Sequence, residues 1–141
     1  MTSANAVPVV EGLFAQTTDG PRLLGSMCVT CGTPYFPKST LCRNASCTES
    51  KLQDAAFGPR GTLWSYTIQH YPPPPPAKYD EPYVPYALGL IDMAEGLRVL
   101  ARISTGDPQG LVVGCDVELV LERLYASADR GEVITWKFRP V

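Results

Sequence analysis

The sequence predicts a mainly β chain in which a small cysteine-built module precedes a five-stranded barrel of the OB type. Three observations carry that expectation. Four of the five cysteines, Cys28, Cys31, Cys42 and Cys47, fall within 20 residues. Fourteen prolines in 141 residues disfavour long helices, because proline lacks the amide donor and clashes with the preceding turn. From residue 61 onward apolar residues recur with a period of two, the mark of half-buried strands.

Composition divides the chain into residues 1–22, 23–60 and 61–141. The N-terminal segment is acidic through Glu11 and Asp19, with a short helix expected around residues 12–16 ahead of Thr17-Thr18-Asp19-Gly20. The cysteine segment is basic, with a net charge of +3 over residues 22–60. The remainder carries −3 and holds five expected strands. In 61–69, Trp64, Tyr66 and Ile68 share a face. Residues 86–92 form an apolar run broken by Gly89. In 97–104, Leu97, Val99, Ala101 and Ile103 point inward and Arg98 and Arg102 outward. In 116–124, Val117, Leu119 and Leu121 oppose Glu118 and Glu122, and in 132–139, Ile134, Trp136 and Phe138 oppose Thr135 and Lys137. Glu95-Gly96, the Asp107-Pro108 segment and residues 127–131 supply the turns between strands. Five short antiparallel strands of this kind close into a Greek-key barrel; a five-stranded open sheet is the alternative.

Cys28-Val29-Thr30-Cys31-Gly32 is a C-x2-C-G knuckle, and Cys42 and Cys47 form a second, wider pair with four residues between. Two such pairs can close a tetrahedron around a metal ion, and the glycine lets the chain turn back so that amides face the sulfurs. Four thiolate ligands leave zinc no open position, which makes the site structural. Iron could use the same ligands, and two disulfides or four free thiols are the competing readings. Cys115, in Gly114-Cys115-Asp116, has no histidine near it in sequence and reads as a packing residue.

Other functions are excluded or left without support. The net charge of −2 and pI near 5.3 argue against a chain that grips a nucleic-acid backbone. No apolar run approaches the roughly 20 residues of a membrane span, and Met1 to Val10 lack the features of a secretory signal, so a soluble cytoplasmic protein is expected. The single histidine, His70, rules out any histidine pair; neither a glycine-rich phosphate loop nor a nucleophile elbow is present. No catalytic residue is assigned. Between the first two strands of the barrel, Pro72 to Pro76 favour an extended polyproline segment, read either as a stiff docking arm or as a rigid loop. Tyr71, Tyr79, Tyr83 and Tyr86 surround it and are the candidate partner-binding residues, since tyrosine is enriched at interfaces.

These motifs together resemble a bacterial and archaeal family that couples a rubredoxin-like zinc ribbon to an OB-fold. The resemblance spans residues 23–140. It runs from Leu24-Gly25 through Cys28-Val29-Thr30-Cys31-Gly32, Phe36-Pro37, Cys42 and Cys47. It continues in Arg60-Gly61-Thr62-Leu63-Trp64-Ser65-Tyr66-Thr67, Pro82-Tyr83-Val84, Asp107-Pro108, Val117-Glu118-Leu119 and the closing Phe138-Arg139-Pro140. The second knuckle departs from the C-P-x-C common in the family, and Cys115 stands where other members tend to carry an apolar residue. The likeness implies one structural zinc ion, a fold of ribbon plus barrel, and a non-catalytic accessory subunit of a thiolase or thiolase-like aldolase acting on acyl-CoA intermediates. Such complexes serve sterol side-chain, aromatic or related catabolism, or acyl transfer in secondary metabolism. The partner would hold the nucleophile and bases, and this subunit would stabilise it and shape its acyl or CoA channel. For CoA phosphates, Arg60, Lys78 and Arg98 are the candidate cations. Two readings compete: a single-stranded nucleic-acid binder, motivated by the basic ribbon segment, and an independent acyl-CoA-binding or acyl-CoA-hydrolysing protein using His70 or Cys115.

Overall fold

Alternating apolar residues, punctuated by glycine and proline, build a β structure in two parts. The computed structural model describes residues 6–141; the first five residues of the N-terminal segment lie outside the described residues. The strands in chain order are β1 (Val7–Pro8), β2 (Phe14–Thr17), β3 (Gly20–Cys28), β4 (Pro34–Tyr35), β5 (Leu52–Phe57), β6 (Arg60–Gln69), β7 (Tyr86–Met93), β8 (Arg98–Ile103), β9 (Asp116–Ser127) and β10 (Gly131–Pro140). One 3-10 turn, Pro108–Gly110, links β8 to β9.

Strands β6 to β10 close into a barrel. β6 pairs antiparallel with β7 and β7 with β8; β10 then runs parallel to β8, through Lys137 opposite Arg102 and Phe138 opposite Ile103. β10 pairs antiparallel with β9, and β9 returns to β6 through Val117 opposite Gly61. That last pairing closes the ring and decides against an open sheet. The core is filled by Leu63, Ile91, Val99, Ile103, Val117 and Phe138. Gly89 interrupts the apolar run of β7 because Leu63 and Ile103 meet there: a Cβ would lie 2.9 Å from each.

The cysteine module is a second, smaller sheet with β3 at its centre. β2 and β4 pair along β3, and β5 pairs with its Leu23 to Cys28 stretch, all antiparallel. The short helix expected at residues 12–16 is absent; a turn there leads into β2. An isolated helix of five residues has no means to offset its nucleation cost. Phe14 instead buries against the core and pairs with Leu23. The hairpin from β2 to β3 is fastened by Thr17 Oγ1, which accepts from the Asp19 amide at 3.2 Å and donates to the Gly20 carbonyl at 2.6 Å.

The side-chain faces expected of two strands also change, in β6 at a β-bulge. A register shift between Leu63 and Ser65 turns Trp64 outward, where it is 49% exposed. On β10 it is Val133 and Thr135 that are buried, while Ile134 and Trp136 lie on the outer face, next to a bulge of the neighbouring β9 at Leu124. That outer face is covered by the ribbon. Phe36 meets Trp136 edge-on at 5.6 Å, and Phe14 approaches it at 6.1 Å.

Candidate metal centre

β3 ends at Cys28, and the chain reverses at once. The Gly32 amide donates to the Cys28 carbonyl at 2.7 Å, and the Cys28 amide to the Thr33 carbonyl at 3.0 Å. Gly32 takes φ = +78°, a conformation that L side chains rarely adopt, which explains the glycine after the second cysteine. Cys42 is placed by its amide donating to Ser50 Oγ at 2.8 Å, and Cys47 by its amide donating to the Asn44 carbonyl at 3.0 Å.

The structure brings all four cysteines together. Their sulfurs lie within 4.8 Å of one another, with Cys31 to Cys42 at 3.5 Å and Cys28 to Cys47 at 3.7 Å. A tetrahedral ion with Zn–S bonds of about 2.3 Å requires sulfur–sulfur edges of about 3.8 Å, so the cluster can hold a metal ion. A disulfide needs about 2.05 Å; all the cysteines are free thiols. An ion bound by all four would have no open position, as in structural sites.

The four sulfurs are not equivalent. Backbone amides, that of Cys31 foremost, bring the Cys28 thiol down to about 6. The Thr33 hydroxyl at 3.1 Å lowers Cys31. Burial pushes Cys47 up to about 12. The Tyr35 hydroxyl donates to Cys42 Sγ at 3.4 Å, and that bond raises the tyrosine above its ordinary value. Thr33, Tyr35, Arg43 and Asn44, which surround the sulfurs, had no signal in the sequence beyond their place between the cysteines.

The other candidate residues lie elsewhere. Tyr79 meets Tyr83 edge-on at 5.5 Å and Tyr83 meets Tyr86 at 6.3 Å, while the Tyr83 hydroxyl donates to the Gln69 carbonyl at 2.7 Å. Arg102 stacks over Tyr86 at 3.8 Å. Tyr71 is 85% exposed. Asp80 anchors this proline loop to β9, accepting from Arg123 Nε and from the Ala126 amide, both at 3.0 Å. Arg98 is engaged by Asp92 at 2.6 Å and lies over Trp64 at 3.9 Å. Arg60 borders an open cleft of about 500 Å³ with Thr62, Asp92 and Asp116, whereas Lys78 lines a separate one beside Tyr125 and Ser127. His70 is exposed at the end of β6, and Cys115 packs against the barrel core. Among the described residues no helix is long and apolar enough to cross a membrane.

Comparison with known proteins places this architecture. Residues 55–122 match the family described as the C-terminal OB-fold domain of ChsH2. A DUF35 domain-containing scaffold protein of Methanocaldococcus jannaschii is 31% identical over 121 residues, covering 84% of this chain and 82% of that protein. The chain belongs to the DUF35 family. This OB-fold family is linked to thiolase and aldolase complexes. The DUF35 chain is also similar to the benzoylsuccinyl-CoA thiolase subunit BbsA of Thauera aromatica, 30% identical over 92% of this chain and 85% of that one. Among solved structures it resembles the Ltp2-ChsH2(DUF35) aldolase, with a TM-score of 0.59, 26% identity and 84% of each chain covered.

Proposed function

We propose that this DUF35 chain is a non-catalytic accessory subunit of a thiolase or thiolase-like aldolase complex acting on acyl-CoA intermediates. The observation that carries the reading is likeness over nearly the whole chain, 92% of it, to a protein named as a thiolase subunit. The chemistry of the described residues agrees. The clustered cysteines form a closed ligand set, His70 is exposed without a catalytic neighbour in sequence, and Cys115 is packed into the barrel.

In this reading Cys28, Cys31, Cys42 and Cys47 hold one zinc ion, which supplies structure rather than reactivity. The ion would fasten the ribbon, and the ribbon in turn covers β10 through Phe36 and Trp136. The row of Tyr79, Tyr83 and Tyr86, together with exposed Tyr71, offers the partner aromatic side chains. Where the complex brings CoA against this subunit, Arg60 and Lys78 are the cations offered to its phosphates, since Arg98 is engaged by Asp92.

The test is reconstitution with a thiolase-like protein encoded beside this one. Acyl-CoA cleavage or condensation by the partner should rise in the presence of this chain, and the chain by itself should have none. Unchanged partner activity together with turnover by the isolated chain would overturn the proposal.

A further inference from the structure

The 42–47 loop is wider than the first knuckle, and its extra residues are turned toward that knuckle. The Asn44 side-chain nitrogen donates to Thr33 Oγ1 at 3.0 Å, and its Oδ1 accepts from the Ser46 amide at 3.0 Å. Because an amide N–H can only donate, the Ser46 contact fixes which end of the Asn44 amide is oxygen, and so which end faces Thr33. Against a metal-bound thiolate, which can only accept, the Thr33 hydroxyl is the donor to Cys31 Sγ, 3.1 Å away. A parallel relay serves the next sulfur. The Tyr35 hydroxyl accepts from the Arg43 amide at 2.6 Å and donates to Cys42 Sγ at 3.4 Å. Arg43 folds back over the Tyr35 ring at 5.4 Å while its Nη2 donates to Ser39 Oγ at 3.1 Å.

The opposite edge of the cluster is different. Cys28 Sγ and Cys47 Sγ face the Glu49 carbonyl oxygen at 3.8 and 3.2 Å. A carbonyl accepts and cannot donate, so the donors to this edge are backbone amides, that of Cys31 foremost for Cys28, and not side-chain hydroxyls.

We infer that the 42–47 loop is an outer clamp on the metal centre, in which Asn44 and Arg43 hold the Thr33 and Tyr35 hydroxyls as donors to the Cys31–Cys42 edge. Four thiolates around a divalent ion leave two negative charges. Hydrogen bonds into the sulfurs spread that charge, and such outer partners typically set metal affinity by about 10-fold or more. Thr33 and Tyr35 are positioning residues that act through Cys31 and Cys42. The inference rests on the reading that the four cysteines hold a metal.

The test titrates the full chain with Co²⁺, follows the sulfur-to-cobalt charge-transfer band, and then displaces the cobalt with Zn²⁺ in the presence of a competing chelator. The unaltered chain should bind one ion. Thr33→Val and Tyr35→Phe should each bind about 10-fold more weakly. Their charge-transfer bands should move to lower energy, because the sulfur lone pairs are no longer stabilised by a donor. Asn44→Ala should reproduce the Thr33→Val band shift, and Thr33→Ser, which keeps the hydroxyl, should restore the parent affinity and band. A band shift reports the sulfurs directly and would not follow from a general loss of stability. One ion bound with the same affinity and band in Thr33→Val and Tyr35→Phe as in the parent overturns the clamp and leaves the metal reading standing. Failure of the unaltered chain to bind either ion removes both.

Discussion

The Phe36 ring stands edge-on to the Trp136 indole, their centroids 5.6 Å apart at 85°, and this pair joins the cysteine ribbon to the barrel. Phe36 directly follows β4, two residues before Lys38, whereas Trp136 sits on the outer face of β10. Stability of the barrel wall and position of the ribbon are therefore coupled. Trp136→Ala should cost about 3 kcal/mol, the scale of a large aromatic removed from a packed site. Trp136→Phe should cost only about 1 kcal/mol, since the buried indole Nε1 has no hydrogen-bond partner to lose. Urea midpoints of the two variants check the difference; equal midpoints would remove Trp136 from the interface.

Gly25 makes a closer approach than any side chain would permit. A Cβ there would run into the Tyr35 carbonyl oxygen and approach the Phe57 ring edge at 2.8 Å. Backbone cannot swing aside as a long side chain can. Gly25→Ala should destabilise the chain by about 3 kcal/mol, and it should shift Tyr35, whose hydroxyl reaches Cys42. Thermal unfolding within a degree of the parent would contradict the contact.

Acid should loosen the proline loop. The bond from Arg123, aided by the Ala126 amide, holds the Asp80 carboxyl below its ordinary value. A carboxylate held low contributes stability that is whole above its unfolded pKa of about 4 and is lost as pH falls through the folded value. Exchange of the Ala126 amide should therefore gain protection as pH rises through that acid range in the parent. In Asp80→Asn the same amide should show no such dependence.

Removing the metal should act on the ribbon before the barrel. The segment between β3 and β5 contains only the two-residue strand β4, and its residues are mostly exposed. Little burial holds it without an ion. A strong chelator should raise amide exchange across residues 28–51 while β6 to β8 keep their protection, and Cys31→Ser should do the same without chelator. Since protons compete with metal for thiolates, release should be faster at pH 6 than at pH 8. Uniform protection before and after chelation would contradict a structural ion.

The five barrel strands were legible because each is half-buried, so alternation survives, and each is bounded by glycine or proline. β3 was not. It is paired along both edges, and consecutive Gly25 and Ser26 are both buried, which erases the period of two. β2 was mistaken for a helix because its only strong mark is Phe14, and what Phe14 packs against lies far along the chain. The face of β6 was misread at Trp64, where one unpaired residue breaks the alternation, and that of β10 because Trp136 is covered by Phe36 of the ribbon rather than by the barrel interior. Of the site, the cysteines could be read from spacing alone. The Thr33, Tyr35, Arg43 and Asn44 relays could not, because their contacts exist only once the two knuckles have folded against each other.

Native mass spectrometry of this chain, co-expressed with the thiolase-like protein encoded nearest to it, tests the accessory-subunit reading most directly. The account predicts a hetero-oligomer in which each copy of this chain carries one metal ion, with assembly lost when Cys31 is replaced by serine. A metal-loaded monomer that never associates with the thiolase-like protein would contradict it.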